Sequence, residues 1–287
     1  KFLRNIARYS DTTVGMHTSI YEKVLTIRGC YTLCMSLRVP VKASPGDRVA
    51  VLSPSFAAPA VAPAVHEQAM LRLKDLTGLI PVEFPTTRLI DASPQHRAQD
   101  INSAFADPDI KAVLATIGGT DQITVIPHLD AQLIHDNPKI FIGYSDNTNL
   151  HNWLWQQGIT SFYGGSTQVQ LGPGPFVDAI HADSLRAALI TGRELELTNP
   201  GESEDFGVDW AESAALTNFG EREVAEPWTW IGPEKTVRGR TWGGCIQVLT
   251  QLALADRLPA LEDLQDTIVL LESSEEIPTD VELTMTI

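Results

Sequence analysis

The chain has 287 residues, with 36 acidic side chains against 21 basic ones and a net charge of −15. That balance argues against a nucleic-acid-binding surface or an anionic membrane patch as the main activity. A 43% hydrophobic chain of this length can bury large cores without staples, and no apolar run approaches a membrane span. Three cysteines, Cys30, Cys34 and Cys245, form no disulfide framework and no zinc-binding pattern. The reading is a reducing, cytoplasmic setting with no metal.

Residues 1–44 read as a basic extension with no consistent apolar face, hence one that packs poorly. Up to Lys42 it carries seven basic residues and only two acids, Asp11 and Glu22. It lacks the apolar segment and cleavage site of a secretory signal, and Met35 is the expected natural start.

Regular text begins at Arg48. Residues 48–52 form a short apolar run ending at Ser53-Pro54, the pattern of a buried parallel strand. Val65, Ala69, Leu73 and Leu76 then recur at helical spacing, and Gly78 stops the helix. A strand near 79–84 follows. Ser93-Pro94 opens another helix, with Ser as N-cap and Pro in the first turn. A strand over 111–117 runs into Gly118-Gly119, and a helix is predicted around 123–133. The strand 139–142 leads into Gly143-Tyr144-Ser145-Asp146. A helix to about Gln157 and a strand over 159–163 come next. Alternating strands and helices predict a doubly wound, mostly parallel α/β domain over 45–197.

Periodicity fades over 198–235, read as a linker or insertion. A smaller α/β domain is expected over 236–287: a segment at 237–240, then Trp242-Gly243-Gly244, a helix over 245–255 and a strand at 267–271 ending at Glu272.

Ser145 is the sharpest chemical signal. It follows a buried strand, precedes a helix and sits on a glycine-containing turn, as in a nucleophile elbow. Such a turn lifts the hydroxyl above the carboxyl ends of the sheet, where free backbone N–H groups suit a developing oxyanion. The same position would suit a plain helix N-cap, and Asn147 stands where a G-x-S-x-G motif has its second glycine. Gly118-Gly119 could complete an oxyanion hole or grip a carboxylate, and could equally be an ordinary turn. Glu272 could orient a catalytic histidine, or belong to a solvated acidic loop. His151 lies six residues past Ser145 on the same predicted helix and should point away from the elbow.

In order, these segments resemble the LD-carboxypeptidase family of serine peptidases, and within it the microcin C immunity branch. The resemblance is carried by Pro45-Gly46-Asp47, Arg97-Ala98-Gln99-Asp100 and Ile117-Gly118-Gly119-Thr120-Asp121-Gln122. Gly143-Tyr144-Ser145-Asp146, Trp242-Gly243-Gly244-Cys245 and Leu270-Leu271-Glu272-Ser273-Ser274-Glu275-Glu276 continue it. It implies Ser145 as nucleophile, Glu272 as the acidic triad member, and Gly119 and Asp146 as backbone oxyanion donors. It also implies a small peptide or aminoacyl-nucleotide substrate, no cofactor, and a homodimer. Gly118, Trp228, Trp230 and Trp242 are the substrate-binding candidates, the tryptophans as rings that could stack on an adenine. The family's histidine lies well downstream of the glutamate, and none of the histidines in this sequence matches it. Weak or absent turnover is therefore expected. The rival expectations are a muropeptide LD-carboxypeptidase and a catalytically inactive binding protein.

Overall fold

The computed structural model describes residues 37–275. Five parallel strands form the central sheet: β1 (Arg48–Leu52), β2 (Ile80–Glu83), β3 (Ile110–Ala115), β4 (Ile140–Gly143) and β5 (Phe162–Tyr163). Their spatial order is β2-β1-β3-β4-β5. β1 and β4 are almost wholly buried, which is why their sequences are continuous apolar runs without alternation.

Helices cover both faces. On one, α2 (Pro63–Thr77) and α6 (Ala179–Arg186) pack Ala69, Leu73 and Leu185 against Val49, Val51, Leu114 and Ile142; the short α1 (Ala58–Val61) precedes α2. On the other, α3 (Pro94–Ala106), α4 (Ala131–Asp136) and α5 (Thr148–Gln156) pack Ile101, Phe105, Ile134, Leu150 and Leu154 against Ala50, Val113 and Phe141. Each such side chain contributes roughly 1.5–3 kcal/mol on burial. This is the doubly wound architecture expected from the sequence. Caps fall where chemistry placed them: Ser93 Oγ accepts the His96 N–H at 3.2 Å, and Gly78 closes α2 at φ 72°.

Beyond the main sheet, β6 (Glu202–Glu204) and β7 (Arg222–Val224) form a small antiparallel ribbon. A separate βαβ unit follows: β8 (Arg240–Cys245), α7 (Ile246–Leu254) and β9 (Thr267–Glu272), with β8 parallel to β9.

Four expectations need correcting. The helix expected around 123–133 is two short 3₁₀ turns and then α4, because Pro127 interrupts it and Asp130 caps a new start by accepting the Leu133 N–H. The second unit does not open with a separate segment at 237–240: its first strand is β8, with Trp242-Gly243-Gly244 as its body. A Cβ on Gly243 would sit 1.8 Å from Leu270 O, so only glycine lets β8 approach β9 this closely. Within 198–235, Ala215 is buried against Ala62 and Val65, and Gln68 Nε2 donates to Leu216 O at 3.0 Å, so this stretch docks on α2. Finally, the extension packs at its end. Ala43 is buried, and Arg38 exchanges backbone hydrogen bonds with Gly158 and Thr160 beside β5. Residues 1–36, Met35 among them, lie outside the described residues.

Candidate active site

The strand order reverses direction between β1 and β3, and the carboxyl ends of β1, β3 and β4 meet there, where open α/β sheets bind ligands. Ser145 stands two residues past β4 and holds φ +60°, a left-handed conformation rare for a residue with a side chain. Both of its backbone groups are held. The Ser145 N–H donates to Tyr163 Oη at 2.9 Å, and the Ser145 carbonyl accepts from Thr148 Oγ1 at 2.7 Å. Its Oγ has no hydrogen-bond partner among the described residues.

Glycine makes room for this turn. A Cβ on Gly118 would lie 2.9 Å from Ser145 Oγ and 3.2 Å from the Asp146 nitrogen. A Cβ on Gly119 would lie 2.0 Å from Ser55 Oγ. The loop after β3 therefore lies in direct contact with the hydroxyl and with the N–H that follows it.

Asn147, at the position of the motif's missing glycine, is fully buried. Its Nδ2 donates to Ile117 O at 3.1 Å and Tyr144 O at 3.0 Å, and its Oδ1 accepts from Gln122 Nε2 at 2.8 Å. It ties the elbow to the β3 loop rather than clearing space.

The side chain of Asp146 is buried and also faces inward. Its Oδ2 accepts from Ser55 Oγ at 2.5 Å and from the Gln122 N–H at 2.9 Å, and its Oδ1 from Asn149 Nδ2 at 2.9 Å. Burial pushes its carboxyl above the usual range, and the Ser55 and Gln122 hydrogen bonds oppose that shift. Arg97, buried on α3, adds a second tie. It pairs bidentately with Asp121 at 2.8 and 2.7 Å and donates to Ser55 O at 3.1 Å. The three loops at the strand ends thus form one cross-linked frame around Ser145.

Glu272 reaches the site from the other unit. It ends β9, level with Cys245 of β8, and its Oε1 accepts from Tyr163 Oη at 2.5 Å. The β8–β9 unit sits on the elbow because Gly244 allows it: a Cβ there would lie 2.5 Å from Thr148 Oγ1. The Cys245 N–H donates to that same oxygen at 3.0 Å, and Trp242 Nε1 donates to Asn152 Oδ1 at 3.3 Å.

A cavity of about 1220 Å³ opens beside β5, with Tyr163, Glu272, Trp242, Phe162 and His151 in its wall. Trp228 and Trp230 do not line it. They form an edge-to-face pair with centroids 6.3 Å apart, and Trp230 is 85% exposed. Of the sequence candidates, the structure links Ser145, Gly118, Gly119 and Asp146 at the strand ends and Glu272 to them through Tyr163, puts Trp242 in the cavity wall with Glu272, and leaves Trp228 and Trp230 outside that wall.

His151 is buried with its Nε2 on Gly143 O at 2.8 Å and its Nδ1 on Ser161 Oγ at 2.7 Å. A neutral ring with Nε2–H donating and Nδ1 accepting satisfies both contacts. Burial pulls its pKa down to about 4. None of the described histidines hydrogen-bonds Ser145 or Glu272. Among the described residues there is no His/Cys/Asp/Glu cluster that could hold a metal ion, and no helix is long and apolar enough to cross a membrane.

Sequence reasoning missed Tyr163, Thr148 and Ser55. Tyr163 had one usable signal, its place at the carboxyl end of the strand after the elbow helix.

Comparison with known proteins agrees with this geometry. Residues 49–164 match the LD-carboxypeptidase N-terminal domain, Peptidase_S66. A Vibrio cholerae relative named as a carboxypeptidase is 29% identical over 235 residues, covering 80% of this chain and 68% of the relative. The microcin C7 self-immunity protein MccF of Escherichia coli is 30% identical over 185 residues, 63% of this chain and 52% of that protein. The chain thus spans about half to two thirds of the length of these relatives. The solved structure of MccF in complex with aspartyl sulfamoyl adenosine superposes with TM-score 0.70 at 27% identity, covering 81% of this chain and 70% of the other. Residues 49–164 thus carry the LD-carboxypeptidase N-terminal domain.

Proposed function

We propose that the protein is a serine-type amidohydrolase that cleaves an amide bond near a free carboxylate through an acyl-enzyme on Ser145. The observation that carries this reading is the held left-handed turn at Ser145, which leaves its Oγ free against Gly118. In the first step Ser145 Oγ bonds to the scissile carbonyl carbon and gives its proton to a base. The carbonyl oxygen becomes an oxyanion received by the N–H groups of Gly119 and Asp146. The C–N bond then breaks, the amine leaves with a proton, and water hydrolyses the Ser145 ester to a carboxylate.

In this reading Glu272 orients the base, an imidazole that the described residues do not bring to Ser145. Serine without a positioned base is a poor nucleophile, and such sites keep only a residual ~10³–10⁴-fold acceleration over water.

The substrate class follows from the relative whose structure holds aspartyl sulfamoyl adenosine. An aminoacyl nucleotide fits the reading better than a murein peptide, because the apolar, aromatic wall of the cavity with Trp242 and Phe162 suits a flat ring. A homodimer in the cytoplasm completes the reading, and sedimentation tests the first part. The decisive assay follows release of the amino acid from aspartyl sulfamoyl adenosine, and of D-alanine from a murein tetrapeptide, by the wild-type protein and by Ser145→Ala. Release from the nucleotide, abolished by Ser145→Ala, supports the proposal. Equal release by both proteins contradicts it.

A further inference from the structure

Tyr163 is the one described side chain that hydrogen-bonds both Ser145 and Glu272. Its hydroxyl accepts the Ser145 N–H at 2.9 Å and donates to Glu272 Oε1 at 2.5 Å, with the Thr148 hydroxyl oxygen 3.3 Å away. A phenol has one proton to give, and here it goes to Glu272 while a lone pair takes the Ser145 N–H; the Thr148 proton goes to the Ser145 carbonyl. The contacts come from the elbow, from the first turn of α5 and from the end of β9. Tyr163 thereby joins the two folding units at the point where their chemistry has to meet.

The strain at Ser145 shows what this contact does. A left-handed serine is strained and persists only where its surroundings over-determine it. Here the Tyr163 oxygen fixes the N–H and the Thr148 hydroxyl fixes the C=O of the same residue. With its N–H engaged, Ser145 has no oxyanion donor of its own to offer, which leaves that task to Gly119 and Asp146. At the other end, Tyr163 occupies Oε1 of Glu272, and no donor among the described residues reaches Oε2.

We propose that Tyr163 is a positioning residue that sets the turn carrying Ser145 and aims the free oxygen of Glu272, so that nucleophile and acid are held by a single hydroxyl. The proposal rests on the reading of Ser145 as nucleophile. Burial, and then the bond to Glu272, drive the phenol well above its ordinary pKa, so it keeps the proton it donates across the neutral range.

The test is the rate at which a fluorophosphonate probe labels Ser145, read by intact mass and peptide mapping. Wild type, Ser145→Ala and Tyr163→Phe are compared over a range of probe concentrations. The phenylalanine keeps the ring and removes only the hydroxyl. The maximal labelling rate of Tyr163→Phe should fall about tenfold, the scale of one hydrogen bond that matters in the transition state, with half-saturation within about twofold. A fall in affinity alone, or no change, overturns the proposal while leaving the nucleophile in place. Wild type that is not labelled at Ser145 removes the nucleophile reading, and with it the proposal. Replacing Tyr163 by 3,5-difluorotyrosine supplies the second variant, because it keeps the shape and acidifies the phenol. Its labelling rate should fall away from the wild-type profile at the alkaline end, above the ordinary range of the fluorinated phenol because the site raises this phenol as it raises the native one, as the phenolate loses the proton shared with Glu272. A profile parallel to wild type contradicts the assignment.

Discussion

Ser55 donates its hydroxyl to Asp146 across 2.5 Å, so the loop after the first strand is tied to the residue that follows Ser145. Together with the Gln122 N–H, this makes the Asp146 carboxylate a junction between three strand ends. Asp146→Ala would strand the Ser55 hydroxyl and the Gln122 N–H in a dry interior. Each orphaned group costs about 1–3 kcal/mol. The denaturation midpoint in urea should fall accordingly. A midpoint within experimental error of wild type would mean that these contacts do not hold the frame.

The same carboxyl also predicts a pH dependence. Its pKa is raised in the folded state because burial disfavours the charge. The folded protein then binds more protons than the unfolded chain above the ordinary aspartate value of 3.8, so this group lowers stability as pH rises through that window. Asp146→Asn should remove that slope. Denaturation curves of both proteins between pH 3 and 7 check it, and a steeper slope in the variant would reverse the sign.

His151 works in the opposite direction. It is neutral and buried, with its pKa drawn from 6.5 down to about 4. The unfolded chain takes up a proton first as pH falls, so stability is lost from about pH 6.5 down through pH 4. The loss at pH 4 is roughly 3 kcal/mol by linkage. His151→Gln should flatten this part of the stability profile. An unchanged profile would show that the ring is not held neutral.

Gly244 should tolerate no side chain. It has φ +140°, and a Cβ there would meet Thr148 Oγ1 at 2.5 Å and Cγ2 at 2.7 Å. Gly244→Ala should loosen the β8–β9 unit from the elbow and raise hydrogen exchange in α7, while the core around Phe141 and Ile101 keeps its protection. Exchange that rises evenly throughout would mean that the unit is not separately hinged at this contact.

Much of this arrangement was legible in the sequence, for physical reasons that also mark where legibility stopped. The runs at 48–52 and 139–142 read as buried strands because a strand covered on both faces needs no alternation. Ser145 stood out because a glycine-flanked serine between strand and helix has few local explanations. Tyr163 and Ser55 were silent because their roles come from partners 109 and 91 residues away, and no local pattern carries that. The Trp242–Cys245 stretch gave no strand signal because paired glycines usually mark a turn. Here they permit two backbones to touch. Trp228 and Trp230 looked like candidates for stacking on composition alone, and the fold leaves them outside the wall of the cavity beside β5.

The most direct measurement of the central claim is the mass of the acyl-enzyme. Wild-type protein is mixed with aspartyl sulfamoyl adenosine, quenched in acid, digested and mapped. The account predicts an added aspartyl mass on the peptide that contains Ser145, absent from Ser145→Ala. A transient adduct on any other residue, or amino-acid release by Ser145→Ala at the wild-type rate, would contradict it.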